Sequence, residues 1–264
     1  MQHKELKVKL KNSLLGLAIG LSAFSSQAAY VTYTGFDLGI GEGTPLATTP
    51  NSTGAETSFK NALIGVGTET FEGIATGTGG PLAVNFGAAG TATLSGGGGS
   101  VESVTPGFTN GFGRYSIPSA SSSKFWEVAA GSSGDFSILF SETIAAFGFY
   151  GVDIGDFSGT LNLEIYNGAS LLSSQLVSGT RVTGGSVLYF GIIASDVTED
   201  FTEVRFRTTG GSGDVFAFDN FTIGNREQIC RVNCGGEVPE PGSLALLGLG
   251  IAGLAAASRR RKAV

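Results

Sequence analysis

The side chains with which this sequence could do chemistry are carboxylates. Its only histidine is His3, inside a segment that is predicted below to be a removed signal peptide. Ser-His-Asp and Cys-His catalysis, histidine metal sites and histidine general bases are therefore excluded. A pair of carboxylates can act on a glycosidic bond without histidine, and calcium prefers carboxylate and carbonyl oxygens as ligands. The sequence thus leaves two kinds of site open, a carboxylate pair acting on a glycan and a calcium site.

Glu72, in TETFEG, and Asp219, in FAFDNFTIG, are the candidate calcium ligands. Many β-sandwich binding domains hold such an ion between an acidic residue early in the domain and one on its last strand. Asp219 also interrupts an apolar strand, and a buried carboxylate must be neutralised or hydrogen-bonded. The pattern predicts calcium bound by these two residues. The alternative is that Asp219 accepts hydrogen bonds from backbone N–H groups at a strand end.

A second acidic pair, Asp153 and Asp156, lies among glycines in GVDIGDFSG. Two aspartates in such a segment could ligate an ion, but Asp-Phe-Ser-Gly is also typical of a turn that leads into the next strand. The spacing does not match an EF-hand loop, which needs carboxylates at alternating positions and a distal glutamate. We therefore favour the turn over an ion site.

Candidate sugar contacts are Trp126, the only tryptophan, and Tyr115, which lies upstream. An aromatic ring can stack on a sugar, and Lys124 and Glu127 would supply polar groups beside Trp126. A lone tryptophan in a β-sandwich is more often part of the core. No row of aromatic residues marks a binding face, so both interpretations stay open.

The charge of the chain is acidic once its basic ends are set aside. Between Lys11 and Arg259 there are 8 basic and 21 acidic residues, a net charge of −13. Such a surface repels nucleic acid and anionic lipid and favours divalent cations. A nucleic-acid-binding role is excluded on this ground.

The two cysteines, Cys230 and Cys234, are spaced C-x3-C. Outside the cytoplasm they could form a local disulfide, and two free thiols are the other interpretation. Two thiols without a histidine make a poor zinc site. We predict a disulfide or free thiols rather than a metal site.

Short strands without helix-length connections dominate the middle of the chain. Apolar and polar residues alternate in DFSILFSE and in LNLEIYNG, where Asn167-Gly168 supplies a tight hairpin turn. Apolar runs at 145–152 and 187–193 predict more deeply buried strands, and 215–224, an apolar stretch that Asp219 interrupts, predicts a closing strand. The pattern predicts an all-β protein built as a single β-sandwich or jelly roll.

Two segments lack this strand pattern. Residues 30–62 are rich in Thr, Gly, Pro and Ser, and we expect one strand plus loops there. Residues 91–103 include the successive glycines Gly96–Gly99, and we expect a surface loop in which the glycines act as flexible spacing. No Lys-Ser/Thr follows these glycines, so they do not form a phosphate loop.

The N-terminal residues have the layout of a secretory signal. Four lysines between Lys4 and Lys11 precede an apolar run, Leu14–Phe24, and then a small-residue stretch that ends at Ala28. The apolar run is too short to span about 30 Å of hydrocarbon. The pattern predicts a signal peptide, a helix over residues 1–28, cleaved after Ala28.

The C-terminal residues 238–264 carry a second targeting pattern, VPEPGSLALLGLGIAGLAAASRRRKAV. Residues 242–258 predict an apolar helix that can just cross a bilayer, and the basic end 259–262 would hold it on the cytoplasmic side. A plain C-terminal tail anchor is the alternative. The tail resembles the PEP-CTERM sorting signal of Gram-negative bacteria that make extracellular polysaccharide. The matching residues are Pro239, Glu240, Pro241, Arg259, Arg260 and Arg261.

The resemblance implies a route for the protein. In that family an exosortase, a membrane transpeptidase-like enzyme, recognises the tail, removes it and passes the protein outward. The expected partners are thus an exosortase and, transiently, the inner membrane. The expected location is the cell surface or extracellular matrix.

The middle of the chain resembles β-sandwich ectodomains that accompany this tail and are likened to carbohydrate-binding or lectin-like jelly rolls. RYSIPSASSSKFWEV, FGFYGVDIGDF and FAFDNFTIG carry this resemblance. We expect a non-enzymatic surface or matrix protein that contacts exopolysaccharide. The alternatives are a carboxylate-based glycan hydrolase or lyase and a purely structural or adhesive matrix protein. The expected units are the signal peptide 1–28, a Gly/Thr-rich segment 29–68, the β-sandwich 69–226, a linker with the cysteine pair 227–237 and the sorting tail 238–264.

Overall fold

Two antiparallel β-sheets form the protein. The computed structural model describes residues 30–129, 136–156, 159–178, 183–209 and 215–230, so the predicted signal peptide and sorting tail lie outside the described residues. The strands of one sheet are β1 (Tyr30–Asp37), β2 (Thr68–Glu69), β5 (Ser100–Ser103), β6 (Lys124–Val128), β8 (Ala146–Val152), β11 (Val187–Ala194) and β13 (Phe216–Gly224). Those of the other are β3 (Leu82–Asn85), β4 (Thr91–Ser95), β7 (Phe136–Ile144), β9 (Thr160–Asn167), β10 (Ser170–Ser178) and β12 (Phe201–Thr209). The two sheets pack as a sandwich, which confirms the all-β prediction.

The strand order is β1-β11-β8-β13-β6-β5 in the seven-stranded sheet, with β2 paired to β13, and β10-β9-β12-β7-β4-β3 in the six-stranded sheet. The hairpin predicted at Asn167-Gly168 joins β9 to β10. Gly168 adopts a φ of 55°, which the turn requires and glycine tolerates.

Phenylalanine rings fill the space between the sheets. Phe149 of β8 lies 5.2 Å from Phe206 of β12 and 5.4 Å from Phe218 of β13, measured between ring centroids. Phe136 of β7 stacks on Phe206 at 5.0 Å. Buried rings of this size supply much of the apolar area that stabilises a β-sandwich.

The two sheets differ on their outer faces. In β8, β11 and β13 every residue is buried, whereas β9 alternates between buried and half-buried positions. A helix, α1 (Pro50–Asn61), and the long connection 104–123 cover the outer face of the seven-stranded sheet. We call this the covered sheet, and the six-stranded one the open sheet.

Helix α1 corrects the expectation of one strand plus loops for residues 30–62. Strand β1 is present, but α1 follows it and seats Phe59 over Gly148 and Gly191, which face each other across β8 and β11. A Cβ atom at Gly191 would lie only 2.7 Å from Phe59 Cδ2. The apolar periodicity of α1 is weak, so the packing of Phe59 against the sheet stabilises the helix, as tertiary packing does for most helices in proteins.

A distant carboxylate also holds the first turn of α1. Asp37 Oδ1 accepts a hydrogen bond from Asn51 N at 3.1 Å, and Asp37 Oδ2 accepts one from Ser52 N at 2.8 Å. These N–H groups have no partner within the helix, and a negative charge there favours the helix dipole. The segment 29–68 therefore contributes a strand and a helix to the covered sheet.

The prediction of a surface loop at 91–103 is wrong, because this segment forms β4 and β5, and Gly96–Gly99 carry the chain from the open sheet to the covered sheet. Ala92 and Leu94 are buried and alternate with more exposed neighbours, a half-buried strand pattern that the glycines obscured. Two of these glycines are sterically required: a Cβ atom at Gly97 would clash with Val128 Cγ2, and one at Gly99 would lie 2.6 Å from Trp126 Cε2.

The sandwich has two distinct ends. At the exit end, β1 begins at Tyr30 opposite Ala194, and the described chain stops at Cys230. At the loop end, β1 stops at Asp37 opposite Val187, close to the end of β8 and the start of β13. Within the described ranges, no helix has the length and apolar character to cross a membrane.

Candidate functional site

Asp219 fastens the cover of the covered sheet. Its carboxylate is fully buried; Oδ2 accepts a hydrogen bond from Ile117 N at 2.7 Å, and Oδ1 accepts one from Asn220 N at 2.7 Å. Burial raises the pKa of Asp219 well above its usual value, and the two backbone hydrogen bonds oppose that rise. This geometry agrees with the alternative interpretation of Asp219 as an acceptor of backbone N–H groups.

Glu72 is exposed, and its carboxylate accepts hydrogen bonds from residues 122–124 of the same chain. Its Oε1 accepts hydrogen bonds from Ser123 N and Lys124 N, each at 2.7 Å, and Oε2 accepts one from Ser123 Oγ at 2.8 Å. Partial burial raises the pKa of Glu72, but these hydrogen bonds outweigh it and hold the pKa below its usual value. Both oxygens therefore already have donors.

The predicted calcium ligands Glu72 and Asp219 thus engage separate backbone partners. No three His, Cys, Asp or Glu residues within the described part of the chain lie together as a metal-binding group. Two buried oxygens, Asn220 Oδ1 next to Asp219 and Ser116 Oγ next to its partner Ile117, have no hydrogen-bond partner among the described residues and are of the type that calcium accepts. The donor set is partial, and the calcium site stays a prediction.

The candidate sugar contacts are both inside the protein. Trp126 and Tyr115 are each 0% exposed. Trp126 packs between Phe71 and Phe136, at 6.3 Å from each ring, while the Tyr115 hydroxyl donates to Gly185 O at 2.9 Å. Neither ring offers a face to a ligand, so the sugar-contact hypothesis is corrected to a core role for Trp126 and a structural role for Tyr115.

Asp153 directly follows β8 and holds a loop of the loop end. It has a φ of 67°, and its Oδ1 accepts a hydrogen bond from Gly185 N at 2.7 Å. Burial raises its pKa to about 6, helped by the charge of half-buried Asp156 and opposed by the Gly185 bond. The turn predicted from Asp156 to Gly159 includes residues 157–158, which lie outside the described residues, so it stays a prediction.

Arg114 joins this aspartate to the connection 104–123. Its Nε donates to Glu127 Oε2 at 2.7 Å, and its Nη1 lies 3.7 Å from Asp153 Oδ2. Its guanidinium carbon also sits 5.6 Å from the centre of the Phe112 ring. The positive charge is therefore used to tie Glu127, Asp153 and Phe112 together.

Two phenylalanines of the same connection, Phe108 and Phe112, are each 62% exposed. Neither these rings nor Arg114 was predicted to belong to a site. The available signal was TPGFTNGFGR, where phenylalanines stand among turn-forming residues that are far from any strand pattern. Large apolar side chains on a turn-rich loop are a reason to examine a surface.

At the exit end, the last described residues are tied to the body. Cys230 N donates to Ala62 O at 2.9 Å, and Ile64 N donates to Gln228 O at 2.8 Å. The Arg226 guanidinium forms a two-pronged ion pair with Asp200. Beside them lies an apolar hollow of about 590 Å³ with Val31, Tyr33, Ile193, Val197 and Ile229 in its wall.

A protein-family comparison matches residues 237–262, which follow this anchored end, to the PEP-CTERM protein-sorting motif. The chain carries a PEP-CTERM motif. It indicates export across the inner membrane, processing by an exosortase, and sorting to the cell surface or extracellular space. The matched range includes the predicted sorting residues Pro239–Pro241 and Arg259–Arg261, which confirms the predicted resemblance of the tail to the PEP-CTERM sorting signal.

The PEP-CTERM motif and its surroundings lie outside the described residues, as does Cys234. Cys230 is buried at the exit end. The predicted disulfide between Cys230 and Cys234 therefore stays a prediction, and so does the bond that the exosortase cleaves.

Comparisons with solved structures return distant matches. The K2 cleaved adhesin domain of Lys-gingipain is 13% identical with a TM-score of 0.35, over 60% of this chain and 97% of that one. The C-terminal family 22 carbohydrate-binding module of Clostridium thermocellum Xyn10B is 17% identical with a TM-score of 0.32, over 65% and 98%. The Stig cyclase Fisc from Fischerella sp. TAU is 14% identical with a TM-score of 0.28, over 68% and 96%. No curated protein matches significantly.

Proposed function

We propose that this PEP-CTERM protein is a non-enzymatic component of the cell surface or extracellular matrix that contacts exopolysaccharide. The observation that carries the proposal is the separation of the two ends of the sandwich. The chain runs from Cys230 at the exit end toward the sorting motif, while the exposed rings of Phe108 and Phe112 belong to the loop end.

The length of the connecting chain supports this orientation. Residues 231–236 separate the folded body from the matched motif, and six residues span at most roughly 20 Å when fully extended. During sorting, the exit end is therefore held next to the membrane. The loop end lies at the opposite end of the sandwich from this connection, where extracellular polymer can reach it.

The use of the buried carboxylates supports a non-enzymatic role. Asp37, Asp153 and Asp219 all accept backbone N–H groups. Asp37 and Asp219 hold α1 and the connection 104–123 on the covered sheet, and Asp153 holds the loop at Gly185. Acids that hold the fold in this way account for part of the acidic composition without a catalytic pair.

The test is co-sedimentation of the processed protein with exopolysaccharide extracted from cells that produce it, together with an assay for new reducing ends and unsaturated sugar products. We expect the protein to sediment with the polymer and the polymer to keep its length. A variant truncated before Pro239 is the sorting control, because it should be exported without surface sorting and should still bind the polymer.

The other outcomes each contradict the proposal in a different way. New reducing ends without unsaturated products would identify a hydrolase, and new reducing ends together with unsaturated products would identify a lyase. Neither binding nor cleavage, with normal surface sorting, would leave a purely structural or adhesive protein.

A further inference from the structure

We propose that the loop end binds an uncharged polysaccharide through the faces of Phe108 and Phe112. This inference rests on the proposed contact with exopolysaccharide and adds the surface and the chemical class of the glycan. Ile40, which is 67% exposed, belongs to the same surface. We call these three residues the apolar loop patch.

Hydrogen bonds place the loops of this patch side by side. Gly113 N donates to Glu42 O at 3.0 Å, and Thr109 Oγ1 donates to the same oxygen at 2.6 Å. Gly41 N in turn donates to Gly184 O at 3.2 Å. The chain that carries Ile40 is thus strapped to the segment between Phe108 and Phe112.

The segment between the two rings is internally fixed. Asn110 Oδ1 accepts hydrogen bonds from Phe112 N at 3.0 Å and Arg114 N at 3.3 Å, while Asn110 Nδ2 donates to Glu127 Oε2 at 3.0 Å. Rings on a preorganised loop lose little conformational freedom when a ligand binds. The fold therefore holds two apolar rings in solvent rather than letting them collapse onto the core.

The chemistry of the rings favours sugar. The electron-rich face of an aromatic ring attracts the polarised C–H groups on the face of a pyranose, and it does so without a charge on the ligand. Arg114 lies over one face of the Phe112 ring, with its guanidinium carbon 5.6 Å from the ring centre. Nearby polar groups such as the exposed Glu42 side chain can accept hydrogen bonds from sugar hydroxyls.

The charges at the loop end decide the class of polymer. Arg114 is the one cation there among the residues the structure describes, and Glu127, Asp153 and two backbone carbonyls already occupy it. Glu42 and Asp156 add negative charge. A polyuronate or sulfated glycan would meet repulsion from these acids, and no described residue at the loop end offers a free cation to offset it, so the described surface fits a neutral polymer.

Two other occupants fit less well. A membrane is disfavoured because the sorting motif follows the opposite end and because acidic surroundings repel anionic lipid. A second copy of the chain is disfavoured because two rings, each 62% exposed, offer only about 250 Å², well below the roughly 800 Å² per partner of a stable dimer.

The experiment measures affinity gel retardation of the processed protein in four polymers: barley β-glucan and galactomannan, which are neutral, and alginate and hyaluronan, which are anionic. The native exopolysaccharide is the reference. We expect retardation by a neutral polymer and by the reference. Phe108→Ala and Phe112→Ala should each weaken it about tenfold, a loss typical of one stacked ring. Phe112→Tyr should retain the ring face and the affinity.

Matched controls come from the open sheet. Leu139 and Leu171 are 53% and 52% exposed on its outer face, so Leu139→Ala and Leu171→Ala remove similar exposed apolar groups far from the patch. These variants should bind like the wild type. Melting temperatures of all five variants should match the wild type because every altered side chain is exposed.

The outcomes separate the inference from the proposed function. Unchanged binding of the reference polymer by the Phe108→Ala/Phe112→Ala double variant overturns the inference and leaves the proposed function standing, and so does retardation by the anionic polymers alone. Absence of binding to every polymer overturns the proposed function itself. Self-association that the double variant abolishes would assign the patch to a second copy instead, and binding to phosphatidylglycerol vesicles that it abolishes would assign it to lipid.

Discussion

The covered and open sheets use charged residues in opposite ways. On the open sheet, charges pair with one another across the surface: Arg207 Nε lies 3.1 Å from Glu164 Oε2, and Arg205 Nε lies 2.7 Å from Glu203 Oε1. On the covered sheet, buried carboxylates such as Asp219 receive backbone N–H groups from the segments above them. Charged residues of the open sheet thus pair on a solvated surface, whereas buried carboxylates of the covered sheet hold packed segments together.

This difference changes the meaning of the acidic composition. Exposed ion pairs contribute about 0–1 kcal/mol each, so those on the open sheet serve solubility more than stability. Buried hydrogen-bonded carboxylates are costly to leave unpaired and fix the geometry of whatever they hold. On the covered sheet they hold α1 and the connection 104–123, and that connection positions the apolar loop patch.

The largest expected effect comes from replacing Gly35 of β1 by valine. A Cβ atom at this position would lie 2.5 Å from the Asn51 carbonyl carbon and 2.8 Å from Ser52 Cα, so the backbone of α1 would have to move. We expect a loss of about 3 kcal/mol or more in the free energy of unfolding, measured by urea denaturation. Ala83→Val, at an exposed position of the open sheet, should change it by less than about 0.5 kcal/mol. Equal losses in the two variants would show that α1 is not a fixed cover.

How far the sequence predicts this protein also differs between the sheets. Alternating residues, such as those around Leu163 and Ile165, place the open-sheet strands because one face is solvated. Continuous apolar runs place β8 and β11, but they do not say what covers the second face. The opposed glycines, Gly148 and Gly191, hint at a close approach within strands, yet only the fold shows that Phe59 fills the space.

The candidate site was predictable to a similar degree. Asp219 stood out because it breaks an apolar run, and it is fully buried as that pattern suggested. Its partner Ile117 N lies 102 residues away, and no local pattern encodes that pairing. The turn-rich segment TPGFTNGFGR places Phe108 and Phe112 in a loop, but single phenylalanines carry no periodicity, and only the packed loops decide which rings stay in solvent.

The second largest effect is expected from the contact between Asp219 and the connection 104–123. In Asp219→Asn one acceptor becomes an amide NH₂ group that faces a backbone N–H, either Ile117 N or Asn220 N, and that group loses its partner. We expect a loss of about 1–3 kcal/mol in the free energy of unfolding. Asn162→Ala, a half-buried position on the outer face of the open sheet, is the comparison and should cost about 0.5 kcal/mol or less.

The Asp219→Asn variant also tests the predicted calcium site. If the ion binds at Asp219, millimolar calcium must raise the melting temperature of the wild type, because a ligand of the folded state stabilises it. Asp219→Asn and Glu72→Gln should then lose that increase. A melting temperature that does not respond to calcium in the wild type removes the calcium prediction and leaves Asp219 as a purely structural acceptor.

The smallest effect has the opposite sign and concerns Asp153. Its folded-state pKa is raised from 3.8 to about 6 by burial, so the protonated form is favoured in the folded protein. The stability from this group is fully present below the unfolded pKa and is lost as the pH rises through the folded pKa.

Replacing Asp153 by asparagine removes the buried charge, keeps an oxygen for Gly185 N and tolerates positive φ. Asp153→Asn should therefore gain about 1–2 kcal/mol at pH 7 and little at pH 4. Glu203→Gln, on the open sheet, should show no such pH-dependent gain. If Asp153→Asn destabilises the protein at pH 7, the pairing with Arg114 outweighs the cost of burial, and this joint depends on its charge.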